Sequence, residues 1–294
     1  MDLVLNFSDE DFDEERKGEK KSRCKNINYK TRFETSKWFL SSDNENPKFR
    51  LNRLKYKGDY FYAQKDYHKA ISEYACILEM MDKVASSVPL KREVFESLSR
   101  AYLKTGETKD ALKYALLFHS TSNPVNSCNI FASFDLLSKV YLIMGDQTEI
   151  AQYCIIQMLI HRPHTPKAWD LLGDTYTDSL KATASWLRAI ALYESVSKTV
   201  GSLVKEQYLL FVQDLNSKVQ RKNLSKDIIV ELSKRMTRDL LNESRGNEDS
   251  TFKDLGASAR MKPIEEGYRP PTENKDFNME WDLVVGFENK WFSS

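Results

Sequence analysis

A pattern of small, apolar and aromatic residues recurs four times between residues 54 and 189, and it constrains the fold more than any other feature of the sequence. Its aromatic positions are Phe61, Tyr102, Tyr141 and Tyr176, spaced 41, 39 and 35 residues apart. The bulky apolar residues seven positions earlier are Leu54, Phe95, Phe134 and Trp169, and the small residues three positions earlier are Gly58, Ser99, Ser138 and Gly173. Offsets of three, four and seven fall on one face of an α-helix, so each copy predicts a helix with an apolar stripe.

A second set of residues predicts a partner helix after each aromatic position. Gly106 and Gly145 follow four residues later in the middle copies and suit the left-handed end of a helix. The residues nine and thirteen positions later are Ala70, Ala111, Ile150 and Ser185, then Tyr74, Ala115, Cys154 and Ala189. Each copy therefore predicts a helical hairpin, and several hairpins must stack because one cannot bury its stripe alone. The fourth copy has Leu180 at the glycine position, and we expect its second helix to be the least secure.

This constellation resembles the tetratricopeptide repeat. The residues that carry the resemblance are Ala168–Trp169, Leu172–Gly173 and Tyr176 in one copy, and Gly58–Asp59, Phe61, Asp66–Tyr67, Ala70 and Tyr74 in another. The resemblance implies an all-α solenoid of about four hairpins, which binds other proteins rather than catalysing a reaction.

Composition divides the chain into four zones. Residues 1–46 are polar, without helical periodicity, and are predicted to be a disordered arm. Residues 47–200 hold the tetratricopeptide-like repeats, and residues 201–244 hold two amphipathic segments predicted to cap the solenoid, Leu203–Val219 and Ile228–Leu241. Residues 245–294 are predicted to be a flexible tail that ends in an aromatic motif.

Charge and cysteine content predict an intracellular protein, cytoplasmic or nuclear. Lysines and arginines number 44 against 43 acidic residues, a balance that disfavours wholesale binding to nucleic acid or to a membrane. Residues 1–15 lack the apolar core of a signal peptide, and the apolar run Cys154–Ile160 is too short to cross a bilayer. The four cysteines are far apart, as expected for reduced thiols: Cys24, Cys76, Cys128 and Cys154.

Enzyme motifs are missing from the sequence. It contains no G-x-x-x-x-G-K, G-x-G-x-x-G or G-x-S-x-G motif, and it has only 10 glycines with which to build phosphate-binding loops. His161 and His164 stand at H-x-x-H spacing without a nearby carboxylate pair, so a loop pair is favoured over a metal site. We expect no catalytic residue, cofactor, metal or small-molecule ligand.

Charged residues on the first helix of each hairpin define a candidate groove. Residues six and two positions before the aromatic form i,i+4 pairs of opposite charge in three copies, namely Lys55 with Asp59, Glu96 with Arg100, and Asp135 with Lys139. They are either solvated intrahelical pairs or contacts for a partner peptide. In the fourth copy Asp170, Asp174 and Asp178 form an acidic stripe without partners in the sequence, and a basic ligand would compensate it.

An aromatic motif occurs at both ends of the chain. It is Phe33–Glu34 with Lys37–Trp38–Phe39 near the start, and Phe287–Glu288 with Lys290–Trp291–Phe292 at the end. Exposed aromatic side chains are costly unless they dock. Each motif either docks on the protein's own solenoid or is a linear motif for a partner, with Trp38, Phe39, Trp291 and Phe292 as the docking residues; coincidence is the third reading.

The whole chain also resembles the uncharacterised animal family of the human chromosome 8 open reading frame 76 protein. The stretches that carry this resemblance are Phe12–Arg16, Lys37–Phe39, Lys57–Asp59, Tyr67–Ala70 with Glu73–Tyr74, Lys91–Arg92 with Val94, and Phe287–Phe292. The family implies no reaction. We therefore expect a non-catalytic scaffold or adaptor that binds peptide segments in its groove. The alternative is a nuclear protein that contacts nucleic acid or chromatin through the basic stretch between Arg16 and Lys25.

Overall fold

The computed structural model describes residues 37–40, 47–81, 88–122, 126–243 and 279–292. The chain divides into two units, residues 1–41 and residues 42–294. The described part of the first unit is a single 3-10 turn, Trp38–Leu40, in which the rings of Trp38 and Phe39 meet edge to face at 6.1 Å.

The second unit consists of α-helices joined by short connections. Over the described ranges its helices are α1 (Pro47–Ala63), α2 (Tyr67–Met81), α3 (Val88–Thr105), α4 (Thr108–Ser120), α5 (Ser127–Met144), α6 (Thr148–His161), α7 (Pro166–Thr175), α8 (Ser179–Ser197), α9 (Ser202–Arg221), α10 (Lys226–Met236), α11 (Arg238–Glu243) and α12 (Trp281–Phe292). The prediction of an all-helical protein is therefore confirmed for the described residues, which contain no strand.

Helices α1 to α8 pair as four successive hairpins, and each hairpin also packs against the next. The predicted left-handed turns are present, because Gly106 and Gly145 have φ angles of 85° and 77°. Gly145 ends α5 by donating its amide to the carbonyl of Tyr141 at 3.1 Å. The repeat-like arrangement thus follows the period seen in the sequence.

The predicted small residues lie where two helices approach closely. A Cβ atom added to Gly58 would stand 2.4 Å from the ring of Tyr74, and one added to Gly173 would stand 2.4 Å from the Trp186 indole nitrogen. In the second hairpin the Ser99 hydroxyl donates to the carbonyl of Ala111 at 2.8 Å. Because larger side chains would not fit, these positions set the spacing within the hairpins.

The prediction that the fourth hairpin has the least secure second helix is wrong. Helix α8 has 19 residues, and eleven of them are buried. It needs no turn glycine because α7 already ends at Thr175, and the side chain of Asp178 caps α8 by accepting the Leu180 amide at 2.8 Å. A side-chain cap thus replaces the backbone turn of the other copies.

Helix α9, in the predicted capping region, leaves some of its apolar side chains exposed. Helix α9 buries Val212, Leu215 and Val219 against the preceding helices. Val204 and Phe211, which the apolar stripe placed on the same face, remain 40% and 41% exposed. Tyr208 and Phe211 still contact the ring of Tyr193 on α8, at 5.3 and 5.4 Å, so the pattern of α9 predicts its contacts but not its full burial.

Helix α5 is long and apolar enough, by length and composition alone, to cross a membrane. It packs against α4 and α6, and eight of its residues are buried in the core, among them Phe134, Leu137 and Tyr141. Its hydropathy is accounted for by this central position between neighbouring hairpins.

Candidate partner-binding surfaces

Three first helices carry a row of ion pairs, which we call the ion-pair row. The six side chains form the i,i+4 pairs expected from the sequence, with Lys55–Asp59 on α1 at 2.9 Å, Glu96–Arg100 on α3 at 2.7 Å, and Asp135–Lys139 on α5. The side chains are between 22% and 42% exposed, so they remain accessible. Their pairing is a feature of the structure, and their role in partner binding stays a prediction.

Two of these residues also join neighbouring helices. The Lys55 amine lies 3.4 Å from Glu93 on α3, and the Asp59 carboxylate accepts the Tyr74 hydroxyl of α2 at 2.8 Å. Burial works to lower the pKa of Lys55, but the hydrogen bonds and charges of Asp59 and Glu93 together raise the pKa overall. Burial first, and then Asp59, raise the pKa of Tyr74. The first pair therefore contributes to packing as well as to surface charge.

The acidic stripe of the fourth hairpin already has a cationic partner, so the prediction that it lacks one is wrong. The Lys218 amine of α9 lies 2.8 Å from both Asp170 and Asp174. Burial raises the pKa of Asp170, and Lys218 acts against this rise. The third member, Asp178, lies beyond the end of α7 and caps α8. The basic ligand expected from the sequence is thus supplied by the chain itself.

The C-terminal aromatic motif forms helix α12 and docks on α6, α7 and α8. Phe287 stacks on Trp169 of α7 with ring centroids 5.5 Å apart, and Trp291 meets the same indole edge to face at 5.0 Å. Phe292 meets Tyr176 at 5.5 Å, while Phe287 and Trp291 are buried. The prediction of a flexible tail is therefore wrong for residues 279–292, and the reading in which this motif docks internally applies.

A carboxylate and several cations fix the orientation of α12. The Glu288 carboxylate accepts the Tyr176 hydroxyl at 2.9 Å and pairs with the Lys181 amine at 2.8 Å. Burial, together with the charge of Glu288, raises the pKa of Tyr176. The Arg235 guanidinium of α10 donates to the carbonyl of Phe292 at 3.2 Å, next to the C-terminal end of the helix. We call the surface formed by Trp169, Tyr176, Lys181, Arg188 and Arg235 the α12 site.

Arg188 is the charged residue at the centre of this region. Its side chain is fully buried, and its two terminal nitrogens contact the Asp239 carboxylate of α11 at 2.6 and 2.5 Å. One of them also donates to the carbonyl of Met236 at 2.7 Å, and the guanidinium lies 5.0 Å from the Trp291 ring centroid. Arg188 thus joins α8 to α10, α11 and α12.

The N-terminal copy of the aromatic motif is only partly described. Phe33 and Glu34 lie outside the described residues, while Lys37, Trp38 and Phe39 belong to the 3-10 turn and its first residue. Trp38 and Phe39 are half-buried. The docking of this N-terminal copy, on the protein itself or on a partner, stays a prediction.

Residues able to hold a metal do not cluster in the described part of the chain, where no three His, Cys, Asp or Glu side chains come together suitably. His161 ends α6, and burial lowers its pKa. His164 lies 3.9 Å from Asp239, which Arg188 already pairs. Cys76, Cys128 and Cys154 are free thiols, and burial raises the pKa of Cys154.

Fold and surfaces together define an all-helical, repeat-like protein with a charged row on its first helices and a helix docked on its last hairpins. The chain belongs to the "Family of unknown function (DUF5588)", whose family model matches residues 3–180.

A human protein named "Uncharacterized protein C8orf76" is 24% identical to the chain over 155 residues. That match covers 52% of this chain and 40% of the human protein. The family predicted from scattered motifs is therefore supported. Its extension to the C-terminal motif stays a prediction, because the family match ends at residue 180.

Proposed function

We propose that this protein is a non-catalytic scaffold or adaptor, built as a tetratricopeptide-type solenoid, that binds segments of other proteins along the ion-pair row. The observation that supports this most is the repetition of one half-exposed i,i+4 pair at equivalent positions of α1, α3 and α5. The close approach of the two helices of a hairpin at Gly58 and at Gly173 also favours the tetratricopeptide geometry.

The chemistry of the row favours a polar, extended peptide with charges of both signs. The pairs on α3 and α5 are of a kind that contributes only about 0.2–0.5 kcal/mol each to an isolated helix, so a ligand can take over one partner there at small cost. Asp170, Asp174 and Asp178 are not included in the proposed row, because Lys218 and the α8 cap already occupy them.

The test is to exchange the charges of one pair without changing net charge. Glu96→Arg combined with Arg100→Glu keeps an i,i+4 pair on α3 but reverses its direction. The matched control exchanges the adjacent exposed residues Lys109 and Asp110 on α4, the second helix of the same hairpin, which is not part of the row.

Purified full-length chain would be used to select binders from a displayed random-peptide library. The selected peptides should bind the wild type and the α4 control equally, and should lose about tenfold in affinity on the α3 exchange. Selected peptides that bind all three proteins alike would contradict the proposed row.

The alternative function, contact with nucleic acid through the stretch between Arg16 and Lys25, concerns residues outside the described ranges. It predicts DNA or RNA binding that weakens with salt and is lost on deletion of residues 1–46.

A further inference from the structure

We propose that the α12 site is an exchangeable helix-binding site, whose external ligand is an amphipathic helix of a partner protein with a Phe-Glu-x-x-Trp-Phe pattern. In this structure the site holds the chain's own copy of that ligand, residues 287–292. The inference is independent of the ion-pair row, which lies on other helices.

Each patterned residue of α12 contacts a side chain of the site. Phe287 and Trp291 share the indole of Trp169, and Phe292 meets the ring of Tyr176. Glu288 takes both the Tyr176 hydroxyl and the Lys181 amine. The site therefore recognises four side chains and the end of a helix, which is the mode used by grooves that bind amphipathic helices.

Charge complementarity specifies an acidic ligand. Lys181 and Arg235 face α12 through Glu288 and the Phe292 carbonyl. Arg188, whose charge Asp239 balances, contacts the Trp291 ring. A helix with lysine in place of the glutamate would meet Lys181 with like charge. The partner helix must therefore carry a carboxylate directly after its first aromatic residue.

Gly286 indicates that α12 is docked less stably than it could be. It lies in the middle of α12, and a Cβ atom added there would meet nothing within 4 Å. Neither close packing nor a left-handed backbone conformation requires glycine at this position. Since glycine is among the poorest helix formers, it weakens α12 without any gain in packing.

The docking of α12 depends on its side-chain contacts to α7, α8 and α10, because many residues separate it from α11 in the sequence. Glu243 ends α11 and Met279 precedes α12, so about 35 residues separate the two described segments. A partner helix that binds more tightly can therefore replace α12.

The test uses the full-length chain and a fluorescent peptide with the sequence of residues 279–294, followed by anisotropy. In a chain with Phe287→Ala and Trp291→Ala, the α12 site should be open, and the peptide should bind at least about tenfold tighter than to the wild type. In a chain with Gly286→Ala, α12 should hold more firmly, and the peptide should bind up to about fivefold more weakly.

A charge exchange checks that the peptide occupies the α12 site. Adding Lys181→Glu to the opened chain should abolish binding of the wild-type peptide and restore binding of a Glu288→Lys peptide. A designed alanine-rich helix that carries only the Phe-Glu-x-x-Trp-Phe pattern should also bind the opened chain, while a scrambled version should not.

Several results would overturn the proposal. One is an opened chain that keeps its helical circular dichroism but binds the peptide no better than the wild type. If the double variant loses its fold, the single variant Glu288→Lys replaces it as the opened chain, with the same requirement. Sedimentation that shows a wild-type dimer, lost when α12 is altered, would assign the site to α12 of a second copy instead of a separate partner.

Discussion

Replacing Gly173 by alanine tests whether the close approach of α7 and α8 governs the stability of the fourth hairpin. The added methyl carbon would stand 2.4 Å from the Trp186 indole nitrogen, 2.5 Å from its neighbouring ring carbon and 3.0 Å from the carbonyl oxygen of Ala182. Because Ala182 contributes a backbone atom, a rotamer change of Trp186 alone cannot relieve the overlap. The two helices must therefore move apart.

The magnitude follows from two opposing effects. Overpacking by one methyl group costs about 1–3 kcal/mol, while the change from glycine to alanine inside a helix contributes about 1 kcal/mol in the other direction. The net loss should be about 1–2 kcal/mol, because Trp186 also donates to Asp174 at 3.1 Å and would be displaced from that contact. The melting temperature should fall by roughly 2–8 °C.

Thermal unfolding followed by far-UV circular dichroism measures the effect. Gly286→Ala is the matched control, since Gly286 also lies within a helix but an added methyl there meets open space. The control should leave the melting temperature unchanged or raise it slightly. If Gly173→Ala raised it as much as the control does, the close approach would not be a constraint and the reasoning would fail.

The remaining predictions concern buried and half-buried charges. Burial lowers the pKa of His119 to about 4 from 6.5, so the unfolded chain binds the extra proton first. Stability should therefore fall as pH drops from about 7 to about 5, by about 1–2 kcal/mol. His119→Gln should remove this part of the pH dependence in urea titrations at about pH 7 and about pH 5. Asp239→Ala leaves the fully buried Arg188 without its carboxylate and should cost about 3 kcal/mol in urea unfolding, whereas Arg188→Met with Asp239→Leu should cost less. An equal loss in both would contradict the ion-pair account. Lys218→Ala leaves Asp170 and Asp174 facing each other and should cost about 1 kcal/mol or less, with most of the loss recovered by adding Asp174→Asn.

Local periodicity made much of the fold predictable. The four hairpins, the left-handed glycines Gly106 and Gly145, and the ion pairs of α1, α3 and α5 all depend on residues a few positions apart on one helix. At that range, the 3.6-residue turn determines which side chains meet. The absence of a turn glycine at Leu180 led to a wrong prediction for α8, because the side chain of Asp178 caps that helix instead.

The contacts that complete the acidic stripe and the α12 site join residues that lie far apart in the chain. Lys218 reaches Asp170 across 48 residues, Arg188 reaches Asp239 across 51, and Lys181 reaches Glu288 across 107. The charge pattern predicted that Asp170 and Asp174 need a cation, and the aromatic motif predicted that Trp291 needs a place to dock. No periodicity, however, links residues at such separations. By itself, the sequence determined the helices, their apolar stripes and the glycine spacers, since each follows from local geometry. Only the tertiary structure decided which helix covers Trp169 and which cation faces Asp170, because those choices depend on how whole helices pack in space.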